Sequence, residues 1–151
     1  MSIVRNIIRL GGIEEAKIRS VPFSGSYALV IKVSQKIKLK SEKHWVLEPG
    51  KYLYIGRASR NLKARIERHR KRTKKNHWHI DYITTNVSAI IKNVLIFPDK
   101  SEKECSIVQE LIKSSDLSVP ILGFGNSDCI RGCPAHLIMA KTTLKTDCEE
   151  G

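Results

Sequence analysis

Arg65 and His69 stand four residues apart beside Leu62 and Ile66, in a stretch running from Asn61 to about Lys71. At 100° per residue, a helix here makes Leu62 and Ile66 its apolar stripe. It turns Arg65 and His69 into the same inward sector, while Lys63, Arg70 and Lys71 fall away from it. An inward guanidinium is costly unless an anion meets it, either a structural carboxylate or a bound phosphate. A second helical stretch, from Ser101 to about Lys113, groups Ile107, Val108, Leu111 and Ile112, with Glu104 near the middle of that sector. Glu102 and Glu110 point to the other side. An inward carboxylate needs a cation, Arg65 or a metal ion; the competing role for Glu104 is a capping box with Ser101.

Two further groups have metal-ligand chemistry. In His77-x-His79-x-Asp81, a strand would turn all three side chains one way as a metal face. On a helix His77 and Asp81 still meet, and Asp81 can instead simply orient a histidine. Cys129-x3-Cys133-x2-His136 would hold zinc if the fold brought the helix of Cys105 close enough to supply a fourth ligand. The spacing is not a standard zinc-knuckle pattern, and buried thiols in a cytosolic core are the commoner outcome.

These residues sit in a chain of 151 residues, the length of one domain. A composition of 41% hydrophobic and 28% charged residues excludes wholesale disorder and fibrous repeats. Lys or Arg interrupts every apolar run before it reaches membrane-spanning length, and the N-terminus lacks a signal-peptide pattern, so a cytosolic protein without a membrane partner is expected. The formal net charge is +12. Much of it lies between Arg57 and Lys75, where Arg57, Arg60, Lys63, Arg68, Arg70, Lys71, Arg72, Lys74 and Lys75 join Arg65 against the one acid Glu67. A concentrated basic face suits a phosphate backbone, so nucleic acid, most readily DNA, is the expected partner.

The elements that must position these groups can be read from periodicity. Residues 1–20 form a lead segment with a short amphipathic stretch, Ile3 to Leu10. Tyr27, Leu29, Ile31 and Val33 alternate as a strand, and Ile37 and Leu39 continue that pattern as a hairpin partner. Pro49-Gly50 turns the chain into a second buried strand through Tyr52 and Gly56, and Ser59 or Asn61 caps the basic helix. Ser88 to Phe97 reads as another strand, and a short one lies near Leu137. The domain spans 21–140, followed by a polar tail, 141–151. The predicted class is α+β: a short, mainly antiparallel sheet with helices packed on it.

Gly25-Ser26-Tyr27, Tyr54-Ile55-Gly56, and Asn61-Leu62 with Arg65 and His69 resemble the GIY-YIG nuclease superfamily, with Glu104 placed as that family's metal-binding Glu. The chain is most similar to one branch, the DUF123 family. Its signature resembles His77-Trp78-His79-Ile80-Asp81-Tyr82, Glu104-Cys105, the run from Gly123 through Asn126 and Asp128 to Cys129, and His136-Leu137. The similarity covers about Ser24 to Met139. Ser26 replaces the usual Ile, and Cys129-x3-Cys133 is a longer gap than the branch's usual pair. The resemblance implies a three-stranded core sheet flanked by helices and a metal-dependent, structure-selective DNA endonuclease linked to DNA repair. Tyr27 or Tyr54 would orient or deprotonate water, and Arg65 would neutralise phosphate charge. His69 would shuttle a proton or partner a tyrosine, and Glu104 would hold Mg or Mn. His77, His79, Asp81, Asn126 and Asp128 would form the rim. These phases predict that Tyr27, Tyr54, Arg65, His69 and Glu104 line one cleft. The alternatives are a nucleic-acid-binding module that has lost cleavage and a basic accessory protein of an RNA–protein assembly.

Overall fold

The structure, a computed structural model, describes residues 3–39, 45–76, 78–98, 104–113 (residue 104 by its backbone), 117–121, 124 and 135–140. In chain order the described elements are α1 (Ile3–Arg9), β1 (Ile13–Glu14), β2 (Gly25–Val33), β3 (Ile37–Lys38), β4 (Val46–Leu47) and β5 (Gly50–Ala58). They continue with α2 (Leu62–Arg70), α3 (Asp81–Thr84), β6 (Ala89–Pro98), α4 (Glu104–Ile112), β7 (Leu117–Ser118) and β8 (Leu137–Ala140). The class is mixed α+β, and every strand pair described is antiparallel.

The long β-branched runs form the centre, with β2 between β6 and β5. The sheet does not stop at three strands, however. Among the described residues it has six, in the order β1-β6-β2-β5-β8-β7. The added strands are two to four residues long, too short to show an alternation of their own. They cover the unpaired N–H and C=O groups that β6 and β5 would otherwise present. A second difference concerns Ile37, which pairs with Leu47 in a separate two-stranded sheet rather than with β2.

Alternation divides the core in two. Tyr27, Leu29, Ile31, Tyr52 and Ile96 face Leu62 and Ile66 of α2. Ala28, Val30, Leu53, Ile55 and Phe97 face Ile3 and Ile7 of α1 and Ile107, Val108 and Leu111 of α4. Helices therefore cover both faces, and α2 and α4 lie on opposite ones. The described part of the lead segment, residues 3–20, joins the same body through Ile7 and through β1, where Ile13 pairs with Ile96. No helix among the described residues is long and apolar enough to cross a membrane.

Candidate functional site

The register of β2 against β5 sets Tyr27 opposite Gly56. A Cβ at residue 56 would lie 2.5 Å from both Cζ and the hydroxyl of Tyr27, so the tyrosine ring occupies the space that only a glycine leaves. Gly25 has a similar cause, since a Cβ there would come within 2.8 Å of the Phe97 carbonyl. Lying over Gly56, the Tyr27 hydroxyl reaches His69 Nε2 at 2.6 Å. Both residues are 1% exposed. The His69 ring also stands 6.0 Å from that of half-buried Tyr54, edge to face, and 6.2 Å from Trp78.

Helix α2 delivers His69 because its start is fixed twice. Asn61 takes a left-handed conformation (φ 50°), which asparagine tolerates, and its side chain accepts from Ala64 N. Leu62 N donates to the Phe23 carbonyl, tying the helix to the segment before β2. One turn on from Leu62, Arg65 donates to the Arg57 carbonyl at 2.9 Å, and its guanidinium lies 4.4 Å from the Trp78 ring centre. Among the described residues Arg65 is held without a carboxylate, and the remaining N–H groups of its five can meet an anion.

The structural carboxylate belongs to Arg68 instead. Its two terminal nitrogens donate to the two oxygens of Asp81 at 2.8 Å each, while the guanidinium also covers Trp78 at 4.4 Å. Asp81 is fully buried; it accepts from Trp78 N at 2.9 Å and has the Lys74 ammonium 3.8 Å away. Lys74, whose side chain is 6% exposed, donates to the Arg68 and His69 carbonyls at the end of α2. Burial, with Arg68 and Lys71 nearby, lowers its pKa to about 8 despite Asp81.

Burial, reinforced by Lys74, Arg65 and Arg68 against the weaker pull of Asp81, lowers the His69 pKa from 6.5 to about 3. The imidazole is therefore neutral at physiological pH. Of the two roles expected for it, tyrosine partner fits better than proton shuttle, because the protonated form is strongly disfavoured. The linkage has a definite sign. Between about 3 and 6.5 the unfolded chain binds a proton at His69 that the folded chain does not. Stability from this group is complete above 6.5 and falls as pH drops, by up to about 1.4 kcal/mol per pH unit. Urea unfolding of His69→Gln against wild type from pH 7 to 4 should give the variant the shallower slope. Equal slopes would remove the assignment.

Arg57, Arg60, Lys63, Lys71, Arg72 and Lys75 are exposed as a basic surface requires. Arg70 is exposed but paired with Glu15, and Arg72 donates to the Asn86 carbonyl. Arg68 and Lys74, expected within the basic binding stretch, instead turn toward buried Asp81. His79 packs against Trp45 and Phe124, away from any three-member metal cluster; none occurs among the described residues. His77, Asn126, Asp128, Cys129 and Cys133 lie outside the described residues. Cys105 Sγ and His136 Nε2 come within 3.8 Å of each other, both buried, on the α4 face. Glu104 is placed by its backbone at the first turn of α4, on the sheet face opposite the tyrosine–histidine pair; its side chain lies outside the described residues. The structure thus brings Tyr27, Tyr54, Arg65 and His69 together. Sequence reasoning gave Trp78 no role, although it is the plate beneath both guanidinium groups. Its signals were its place in the His77-Trp78-His79 signature and next to a basic run.

A family profile described as "Domain of unknown function DUF123" matches residues 26–150. No curated protein and no solved structure matches the chain.

Proposed function

The chain belongs to the DUF123 family, and on that premise we propose that it is a GIY-YIG-type endonuclease that hydrolyses phosphodiester bonds in DNA, selective for branched or unpaired structures and linked to DNA repair. One observation carries this reading. The 2.6 Å hydrogen bond from Tyr27 to His69 joins the first motif strand to the helix of Arg65, directly behind Tyr54.

In this reading each residue has a defined part. Tyr27 and His69, both buried, are positioning residues that lock the sheet against α2. Tyr54 and Arg65, both partly exposed, meet the substrate. Arg65, steadied on Trp78, neutralises the charge that builds on the phosphoryl oxygens in the transition state. The Tyr54 hydroxyl orients the attacking water.

The described donors do not by themselves make a cation site. Asp81 already takes Arg68, Trp78 N and the nearby Lys74 ammonium, Glu15 is paired with Arg70, and no group of three metal-ligating side chains occurs among the described residues. The resemblance would give one Mg or Mn ion to Glu104, but α4 begins on the sheet face opposite Arg65, so the fold does not bring that helix to this site.

A second reading, a nucleic-acid-binding module without cleavage, is favoured by the placement of α4 across the sheet from Arg65. Cleavage of branched, flapped and single-stranded DNAs, with and without Mg or Mn, separates the two. Both readings require the basic surface. Replacing Arg60, Lys63, Lys71 and Lys75 with Gln should weaken DNA binding and flatten its dependence on log salt by about 0.9 for each phosphate no longer neutralised. An unchanged slope in a fluorescence-anisotropy titration would put the binding face elsewhere.

A further inference from the structure

Within β2 the pairing with β6 slips by one residue: Val30 faces Asn93, but Ile31 faces Ile91. Bulges of this kind re-aim side chains next to sites. Just beyond it, Ile31, Ile90 and Ile91 wall a half-open cavity of about 200 Å³, with His69 on one side and Arg70 and Arg72 at its edge. Ile90 is 49% exposed, a large apolar side chain left in water at this position. His69 Nε2 meets the Tyr27 hydroxyl, and among the described residues its buried Nδ1 has no hydrogen-bond partner.

We propose that this cavity receives one unstacked nucleobase of the bound strand. The assignment rests on the nucleic-acid reading above and names its substrate class: strands with an unpaired nucleotide. The volume lies below the roughly 300–1,000 Å³ of sites that take drug-sized ligands, so it suits a single ring system rather than a whole nucleotide. The isoleucine side chains suit the faces of a base, and the guanidinium groups at the edge suit the phosphate beside it. Arg72 keeps N–H groups beyond the one on the Asn86 carbonyl, and these meet the adjoining phosphate. A base in an intact duplex cannot enter without being flipped out, whereas one in a flap, bulge or free end enters at little cost.

The test uses a metal-free buffer, so that nothing is cut, and an eight-nucleotide single strand with 2-aminopurine at one position. Saturating protein should change the 2-aminopurine emission at one or more positions along the strand. The strand should bind at least about ten-fold tighter than a duplex of equal length, the reverse of what backbone charge density alone dictates. Ile90→Asn, a change at a half-exposed strand position, should remove both the emission change and the preference while leaving duplex affinity and melting temperature as in wild type. Emission that stays flat at saturation for every label position, or an Ile90→Asn variant that keeps both effects, would overturn the proposal. Cleavage by a protein whose cavity fails this test would leave the nuclease reading intact. A base-filled cavity in a protein that never cuts would retain the pocket and remove the nuclease.

Discussion

Asp81→Ala should be among the most destabilising single changes in this protein, costing about 3–5 kcal/mol. The carboxylate is fully buried and takes both terminal nitrogens of Arg68 and the Trp78 amide, with the Lys74 ammonium alongside. Its loss leaves the Lys74 ammonium, almost wholly enclosed, without its nearest negative charge, and frees Arg68 from the ring it covers. Asp81→Asn keeps an acceptor for Trp78 N but not the charge, and should fall between wild type and alanine. Arg70→Gln breaks an ion pair whose partners both reach solvent, and it should cost under about 1 kcal/mol. Urea midpoints for the three variants check the ranking. A loss under about 1 kcal/mol for Asp81→Ala would mean that the segment around Trp78 is held by other means.

Arg65→Ala should lower DNA cleavage by about 10²–10³ while leaving most of the binding affinity. The reasoning is differential. Exposed Arg60, Lys63, Lys71 and Lys75 attract the ground-state backbone, whereas Arg65 matters most where charge builds up in the transition state. On the resemblance Glu104→Gln would show the same split, since it removes the charge that a hard cation needs. The start of α4 on the opposite sheet face instead predicts cleavage as in wild type. Rates under single-turnover conditions, set beside anisotropy titrations, read the two quantities separately. A Glu104→Gln protein that cuts as fast as wild type would mean that another carboxylate serves, with Asp128 the next to replace.

Long periodic segments were legible in the sequence and short ones were not. The alternation from Tyr27 to Val33 became β2, and Leu62 and Ile66 marked the buried side of α2 together with His69. The two-residue strands β1, β4 and β7 have no period to read; their pairing comes from the edges and turns they meet. For the site, the phase of α2 correctly turned Arg65 and His69 toward the sheet, and the glycine of Tyr54-Ile55-Gly56 is explained by the ring of Tyr27. The partner of each cation could not be read, since Asp81 is thirteen residues from Arg68 and meets it only after the chain turns back. For the same reason Lys74 looked like one more solvated charge, although its ammonium closes the carbonyl end of α2. The helix phase of α4 put Glu104 on an inward sector, but a phase cannot say which face of the sheet that sector meets. In the fold, α4 packs on the Leu53 and Ile55 side.

Cleavage, rather than mere holding, of DNA is what separates the nuclease proposed for this basic DUF123 protein from a binding module. The most direct measurement is incubation of the purified protein with end-labelled branched, flapped and single-stranded DNAs, with Mg, with Mn and with chelator, alongside Arg65→Ala. The account predicts cleavage of at least one unpaired structure, abolished by chelator and reduced at least about a hundred-fold in the variant. Tight binding by wild type with no cleavage of any substrate in either ion would contradict it.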